Sequence, residues 1–235
     1  MTKFAFQPQA IVGLPITGSD ELFPVRRIYC VGRNYAAHAR EMGADPDRDP
    51  PFFFCKPNDN ASIVPVPAGQ TVELPYPTLT ENYHHEIELV VAIGKGGRDI
   101  AVEDAEDHIF GYGVGLDMTR RDLQSRMKEQ GRPWEVGKAF DYSAPVGPLS
   151  LKARTGKINS GAITLEVDGK IRQTSDLTHL IWSNAETIAN LSTLFELQPG
   201  DLIFTGTPEG VGAVQRGQTL VGRVAGLETL SVKLV

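Results

Sequence analysis

Short apolar, β-branched runs, each closed by glycine, proline or aspartate, recur from residue 27 to the end of the chain. Their lengths and frequent period of two predict a mostly β protein. Residues 27–31 and 52–55 read as strands on either side of a helix over 36–42, which stops at Gly43 and a polar loop holding Asp45-Pro46-Asp47-Arg48. The run His84-His85-Glu86-Ile87-Glu88-Leu89-Val90-Val91-Ala92-Ile93 predicts a buried strand headed by two glutamates. A helix near 102–107 precedes a glycine-dense strand over 110–117, and another helix follows over 119–129. Asp168-Gly169, between runs at 163–167 and 170–174, carries the signature of a type I′ hairpin. Ser183-Asn184-Ala185-Glu186 has capping-box spacing, after which Ile188, Leu191 and Phe195 share one helical face. Strands at 202–205 and 227–235 complete the pattern.

Many short strands and few helices imply an α+β class: a mostly β roll or barrel with flanking helices. Residues 1–24 lack a period and are punctuated by proline and glycine, so they read as an N-terminal arm packed on a single domain over 25–235. A hydrophobic content of 41% over 235 residues is enough to fill a core. The net charge of −6 comes without a basic stripe, which weighs against a nucleic-acid partner. Cys30 and Cys55 follow no metal or disulfide spacing, and reduced thiols in the cytoplasm are expected. Residues 1–18 show no secretory pattern, and no apolar run approaches the ~20 residues of a membrane span.

The candidate chemistry starts at Glu86 and Glu88. Side chains two apart on a strand share a face, so two carboxylates converge beside an apolar wall, where a proton or a cation must separate them. Asp117, at the end of the glycine-dense strand, is placed to complete a triad. Three carboxylates and no thiolate suit Mg²⁺ or Mn²⁺ better than structural zinc. His84 shares the glutamates' predicted face and is a further possible ligand. The plain alternative is a solvated strand face with Asp117 as a turn residue. Lys138, between glycine and apolar residues, could aim its ammonium at an oxyanion or a substrate carboxylate, or be a surface charge. His38 and Glu41, three apart on a helix, form a pair able to deprotonate water, or an inconsequential surface pair. The turn over 205–212 offers N–H and hydroxyl groups to an anion, and it is not a Walker loop.

Six ordered motifs together resemble the fumarylacetoacetate hydrolase family from about residue 27 onward. They are Val31-Gly32-Arg33-Asn34-Tyr35 with His38, Phe53-Phe54-Cys55-Lys56-Pro57, His85-Glu86-Ile87-Glu88-Leu89, the stretch from Leu116 through Gln124, Gly137-Lys138-Ala139-Phe140-Asp141 and the 205–212 turn. Asp45-Pro46-Asp47-Arg48, Tyr83-His84-His85-Glu86 and Arg132-Pro133-Trp134 look like the bacterial branch that cleaves fumarylpyruvate in gentisate breakdown. Asn58 and Asn60 stand where that pattern has alanines.

The resemblance implies a mixed β roll, usually dimeric, in which Glu86, Glu88 and Asp117 bind Mg²⁺ or Mn²⁺. It also implies that His38 with Glu41 activates water and Lys138 acts on substrate oxygens, with Arg33, Arg121, Gln124 and Thr207 lining the substrate pocket. The expected reaction is hydrolytic carbon–carbon cleavage of a small anionic 2,4-diketo acid. Oxaloacetate decarboxylation and keto-enol isomerisation use the same enolate chemistry and are the alternative activities. A non-catalytic, metal-stabilised binding module is the alternative outside catalysis.

Overall fold

The structure is a computed structural model that describes residues 3–41 and 49–235, the side chains of residues 39–41 excepted. Its centre is a curled mixed sheet. In spatial order this sheet runs Phe52–Lys56, Arg27–Gly32, Asp201–Phe204, Ile87–Ile93, Ile109–Leu116, Ala144–Val146 and Ile63–Pro65, with Ser150–Leu151 also pairing on Ile109–Leu116. Arg27–Gly32 runs parallel to Asp201–Phe204 and antiparallel to Phe52–Lys56. A five-stranded sheet, ordered Lys170–Asp176, Ala162–Val167, Thr219–Val224, Leu230–Leu234 and Thr71–Leu74, packs on one face. The mostly β roll expected from the pattern of short runs is the observed architecture.

Both faces of the central sheet are covered, which explains why every residue of Ile87–Ile93 is buried. Leu89, Val91 and Val114 face the five-stranded sheet and meet a core that includes Ile163, Leu165, Leu220 and Val232. Val90 and Ala92 point the other way, into a second core with Cys30, Leu202, Phe204, Leu14 and Phe23. Each such side chain contributes roughly 1.5–3 kcal/mol on burial. Curling requires close approach of neighbouring strands. A Cβ at Gly115 would lie 2.6 Å from Val90 and 2.7 Å from Phe204, so the glycine-dense strand permits the bend.

Residues 1–24 were expected to be irregular, but Gly13–Pro15 and Leu22–Pro24 pair as a small ribbon that supplies the second core. The strand expected over 84–93 is interrupted at Glu86. Tyr83–His85 leaves the central sheet to pair with Thr119–Arg120 and Gly212–Ala213. This also moves the start of the following helix, Arg121–Glu129, two residues beyond expectation. The helix expected near 102–107 is a single 3₁₀ turn, Ala105–His108, because a run so short cannot offset the cost of nucleation. The hairpin turn has Asp168 and Gly169 at φ 50° and 73°, as type I′ requires. The Ser183–Glu186 capping box is formed at the head of Asn184–Leu194. The expected helix over 36–42 is present as Ala36–Glu41. Its expected end at Gly43, and the Asp45-Pro46-Asp47-Arg48 loop, lie outside the described residues.

Candidate active site

Strand pairing gathers the carboxylates. Ile87 pairs with Leu116 and Glu88 with Gly115, and Asp117 N–H donates to the Glu86 carbonyl at 2.9 Å. One oxygen from each of Glu86, Glu88 and Asp117 then lies within 4.8 Å of the other two. All three residues are buried at the base of a cavity of about 320 Å³. Glu86 reaches the cluster from the gap between two strand segments, where Gln173 takes over part of the ladder. The Gln173 carbonyl oxygen accepts from Ile87 N–H at 3.1 Å, and its amide donates to Thr207 Oγ1 and to the Pro208 carbonyl at 2.8 Å each.

Buried carboxylates are tolerable only with counter-charge and donors. Lys138 Nζ donates to Glu86 Oε2 at 2.8 Å, Asp117 Oδ2 at 2.7 Å and Thr119 Oγ1 at 2.7 Å, which uses its three protons. Arg121 Nη2 donates to Glu86 Oε1, while its Nη1 donates to Gln124 Oε1 at 2.5 Å and its Nε to His84 Nδ1 at 3.4 Å. Lys56, also buried, holds its ammonium 2.8 Å from Asp117 Oδ1 and donates to the Met118 and Lys138 carbonyls. Its contact with Asp117 is not aligned as a hydrogen bond, so Asp117 Oδ1 accepts none among the described residues.

Burial pushes the Glu86 carboxyl up, but Lys138 and Arg121 outweigh it and hold the group well below the usual carboxylate range. Glu88 goes the other way. Burial first, then the neighbouring Asp117 and Glu86 charges, push it well above that range, and the Gly206 N–H donating to Oε2 at 2.7 Å offsets this only in part. An all-oxygen cluster in which one carboxyl resists ionisation and one buried oxygen lacks a donor fits a hard divalent cation such as Mg²⁺ or Mn²⁺. His84 lies outside that cluster. Burial and the adjacent Arg121 lower it to about 4, so it stands neutral, accepting from Arg121 and paired with Asn82 Oδ1 at 2.8 Å.

The walls hold the remaining candidates. His38, buried on Ala36–Glu41, lines the cavity with Arg33, Gln124 and Thr207. The side chain of Glu41 lies outside the described residues. Asn34 ties the turn before His38 to the 205–212 turn: its amide donates to the carbonyls of Thr205 at 2.8 Å and Trp182 at 2.9 Å. Nine of the ten described candidate residues, all but His84, therefore border one cavity. Asn58 and Asn60 face elsewhere, toward the Arg26 carbonyl and Gln9.

Sequence reasoning missed Lys56, whose signal was a charge ending the apolar run at 52–55. It also missed Gln173, the one buried residue of Lys170–Asp176, and the wall formed by Phe52, Phe54 and Trp134.

The family described as fumarylacetoacetate (FAA) hydrolase C-terminal matches residues 27–235. The crystal structure of fumarylpyruvate hydrolase from Pseudomonas aeruginosa in complex with Mn²⁺ and pyruvate is 64% identical, covers 99% of each chain and has a TM-score of 0.97. Fumarylpyruvate hydrolase from a Ralstonia species is 46% identical over 181 residues, 77% of this chain and 91% of its own length. A mitochondrial oxaloacetate decarboxylase of Dictyostelium discoideum is 39% identical over 204 residues, 87% of this chain and 91% of its own. The likeness spans the elements that build the cavity, and the chain belongs to the fumarylacetoacetate hydrolase family.

Proposed function

We propose that this chain is a metal-dependent hydrolase that cleaves the carbon–carbon bond of a 2,4-diketo acid, with fumarylpyruvate giving fumarate and pyruvate. The observation that carries this reading is the meeting, in one cavity, of a three-carboxylate cluster with His38 and with cationic side chains. The likeness to an enzyme solved with Mn²⁺ and pyruvate supports it.

Glu86, Glu88 and Asp117 would hold Mg²⁺ or Mn²⁺. Once bound, the ion supplies positive charge to the carboxylate and 2-keto oxygens of the substrate and to the departing pyruvate fragment. Lys56, Lys138 and Arg121 already pair with Glu86 and Asp117. An added divalent charge leaves the floor net positive, which suits an anionic substrate. The His38 ring nitrogen takes the proton of a water that attacks the 4-carbonyl, with Glu41 orienting the imidazole; collapse of the adduct breaks the C3–C4 bond, and the departing enolate takes up a proton at C3 to give pyruvate. The Thr207 hydroxyl and the N–H groups of its turn receive the oxyanion. Lys138 keeps Glu86 and Asp117 ionised, and it reaches substrate oxygens only by releasing one of its three present partners. Gln124, Arg121 and Arg33 line the same cavity and would complete the substrate pocket.

Residues 25–235 would work as one catalytic domain behind the arm of 1–24, as a cytoplasmic homodimer in gentisate catabolism. Among the described residues no helix is long and apolar enough to cross a membrane. Both cysteines are free thiols, as a reducing compartment would leave them.

Similarity to the Dictyostelium discoideum decarboxylase favours oxaloacetate decarboxylation as a second reading. Fumarylpyruvate, acetylpyruvate and oxaloacetate, compared side by side with Mg²⁺ and Mn²⁺, separate the two. Loss of enol absorbance with release of fumarate supports the hydrolase. Carbon dioxide from oxaloacetate without fumarate from fumarylpyruvate overturns it.

A further inference from the structure

Arg33 and Arg121 both border the cavity, but they differ in what they hold. Arg121 has given its Nε, Nη1 and Nη2 to His84, Gln124 and Glu86. Arg33 lies over the Phe52 ring, 5.6 Å from its centroid, and among the described residues no carboxylate pairs with it. Lys128, which lines the same cavity, also has no carboxylate partner among the described residues, while Glu129 beside it bears the opposite sign.

The backbone is specialised to hold Arg33 there. Its φ of 57° lies in the left-handed region, which a non-glycine residue adopts at a cost. The preceding Gly32 leaves room for the shelf beneath: a Cβ at that position would meet Phe52 Cζ at 2.0 Å. The Phe52 ring in turn meets Trp134 edge-on at 5.5 Å and 88°. The Asn34 bonds to Thr205 and Trp182 then fix the far side of the turn.

The sheet provides a ruler from this shelf to the carboxylates. Val90, Phe204, Cys30 and Phe54 form one row across four strands. Glu88 and Phe52 lie two residues beyond that row, on the same face, at its two ends. Three spacings of about 4.8 Å separate them, about 14 Å measured along the curled sheet.

Resting on the hydrolase reading above, the geometry points to Arg33 as the receptor of a second, distal carboxylate. The substrate is then an elongated acylpyruvate whose flat, conjugated acyl chain lies on the Phe52–Trp134 shelf and ends in an anion. Along this ruler an acylpyruvate with a distal carboxylate extends further from Glu86, Glu88 and Asp117 toward Arg33 than a four-carbon diacid does. Arg33 thus sets the choice of acyl group, whereas the carboxylate floor serves any 2,4-diketo acid.

The test measures kcat/KM for fumarylpyruvate and acetylpyruvate in the Mn²⁺-loaded wild type, Arg33→Met and Arg33→Lys. The preference for fumarylpyruvate should fall about 10- to 100-fold in Arg33→Met, mainly through KM, and should be partly restored in Arg33→Lys. An unaltered preference, or an equal loss on both substrates, overturns the assignment. Calorimetry of fumarate and crotonate, which differ only in the distal carboxylate, supplies a readout independent of turnover. The tighter binding of fumarate should disappear in Arg33→Met, and its persistence also overturns the assignment. A wild type that hydrolyses neither acylpyruvate defeats the hydrolase reading, while the fumarate and crotonate comparison still decides the role of Arg33.

Discussion

The floor and the mouth of the cavity solve different problems. At the floor, buried cations meet Glu86 and Asp117, with Lys56 and Lys138 sharing the two oxygens of Asp117. At the mouth, Phe52 is 38% exposed, and Arg33 has a ring beneath it but no carboxylate partner among the described residues. Charges buried at that depth must be paired before any ligand arrives, because an unpaired one would destabilise the fold. Charges near solvent can wait for the ligand, because water screens them meanwhile. The floor is therefore the part common to the chemistry, and the mouth is where selectivity is set.

The largest effect should come from removing a floor carboxylate. Glu88→Gln keeps the shape and the Gly206 contact but removes a negative charge from the proposed metal cluster. It should abolish turnover of every acylpyruvate alike, with an unchanged circular-dichroism spectrum. EDTA should act in the same way on the wild type. Full activity in EDTA would remove the metal from the account. Next comes His38→Ala, which leaves the carboxylates intact. A drop of about 10²–10⁴ in kcat with little change in KM is expected for a lost general base. Wild-type turnover in that variant would exclude His38 as the base.

Gln173→Leu tests whether the floor depends on the neighbouring sheet. The amide joins the strand break at Glu86 to the Thr207 turn, and leucine has nearly the same volume with no donor or acceptor. Losses of about 10- to 100-fold in Mn²⁺ affinity or activity are expected, as for other outer partners of a metal site. Equal losses on fumarylpyruvate and acetylpyruvate would assign Gln173 to the floor. A selective loss on one would blur the division between floor and mouth.

The parts of this site that were legible in the sequence are those set by local spacing. Glu86 and Glu88 advertised themselves because charges seldom head an apolar run, and Asp117 because it ends a strand that only close packing explains. What was not legible depends on long-range contacts. Gln173 arrives from another sheet, so nothing near it in sequence announces what it holds. Lys56 was visible as a charge closing an aromatic run, but its partner lies 61 residues away in Asp117. The left-handed backbone at Arg33 has no sequence signature, since arginine there is disfavoured by its own sterics. The ribbon at 13–15 and 22–24 escaped notice because three-residue strands are too short to show a period.

The smallest effect concerns the helix that connects the two regions, since Arg121 and Gln124 face the floor while Ser125 and Lys128 border the same cavity further along it. Its N-cap, Arg120, makes no side-chain cap, and Asp122 secures the first turn instead. Asp122 Oδ1 accepts from Thr80 Oγ1 at 2.6 Å and Leu123 N–H at 2.9 Å, and its Oδ2 accepts from Glu81 N–H at 3.2 Å. Partial burial pushes this carboxyl up, but those hydrogen bonds outweigh it and leave it below its ordinary value. A carboxyl lowered by folding stabilises the fold above its unfolded pKa, and the contribution is lost as pH falls through the folded value. Asp122→Ala should therefore cost about 0.5–1 kcal/mol near neutrality, at the low end because solvent screens the group. Thermal melts should show a deficit of about 1–4 °C. The deficit should shrink as the pH falls below the ordinary aspartate value of about 3.9, because the wild-type fold loses this contribution on the way down to its own, lower value. A deficit that grows on acidification would mean that the ionised carboxylate is not what holds this turn, and that the helix is anchored through its contacts at the floor alone.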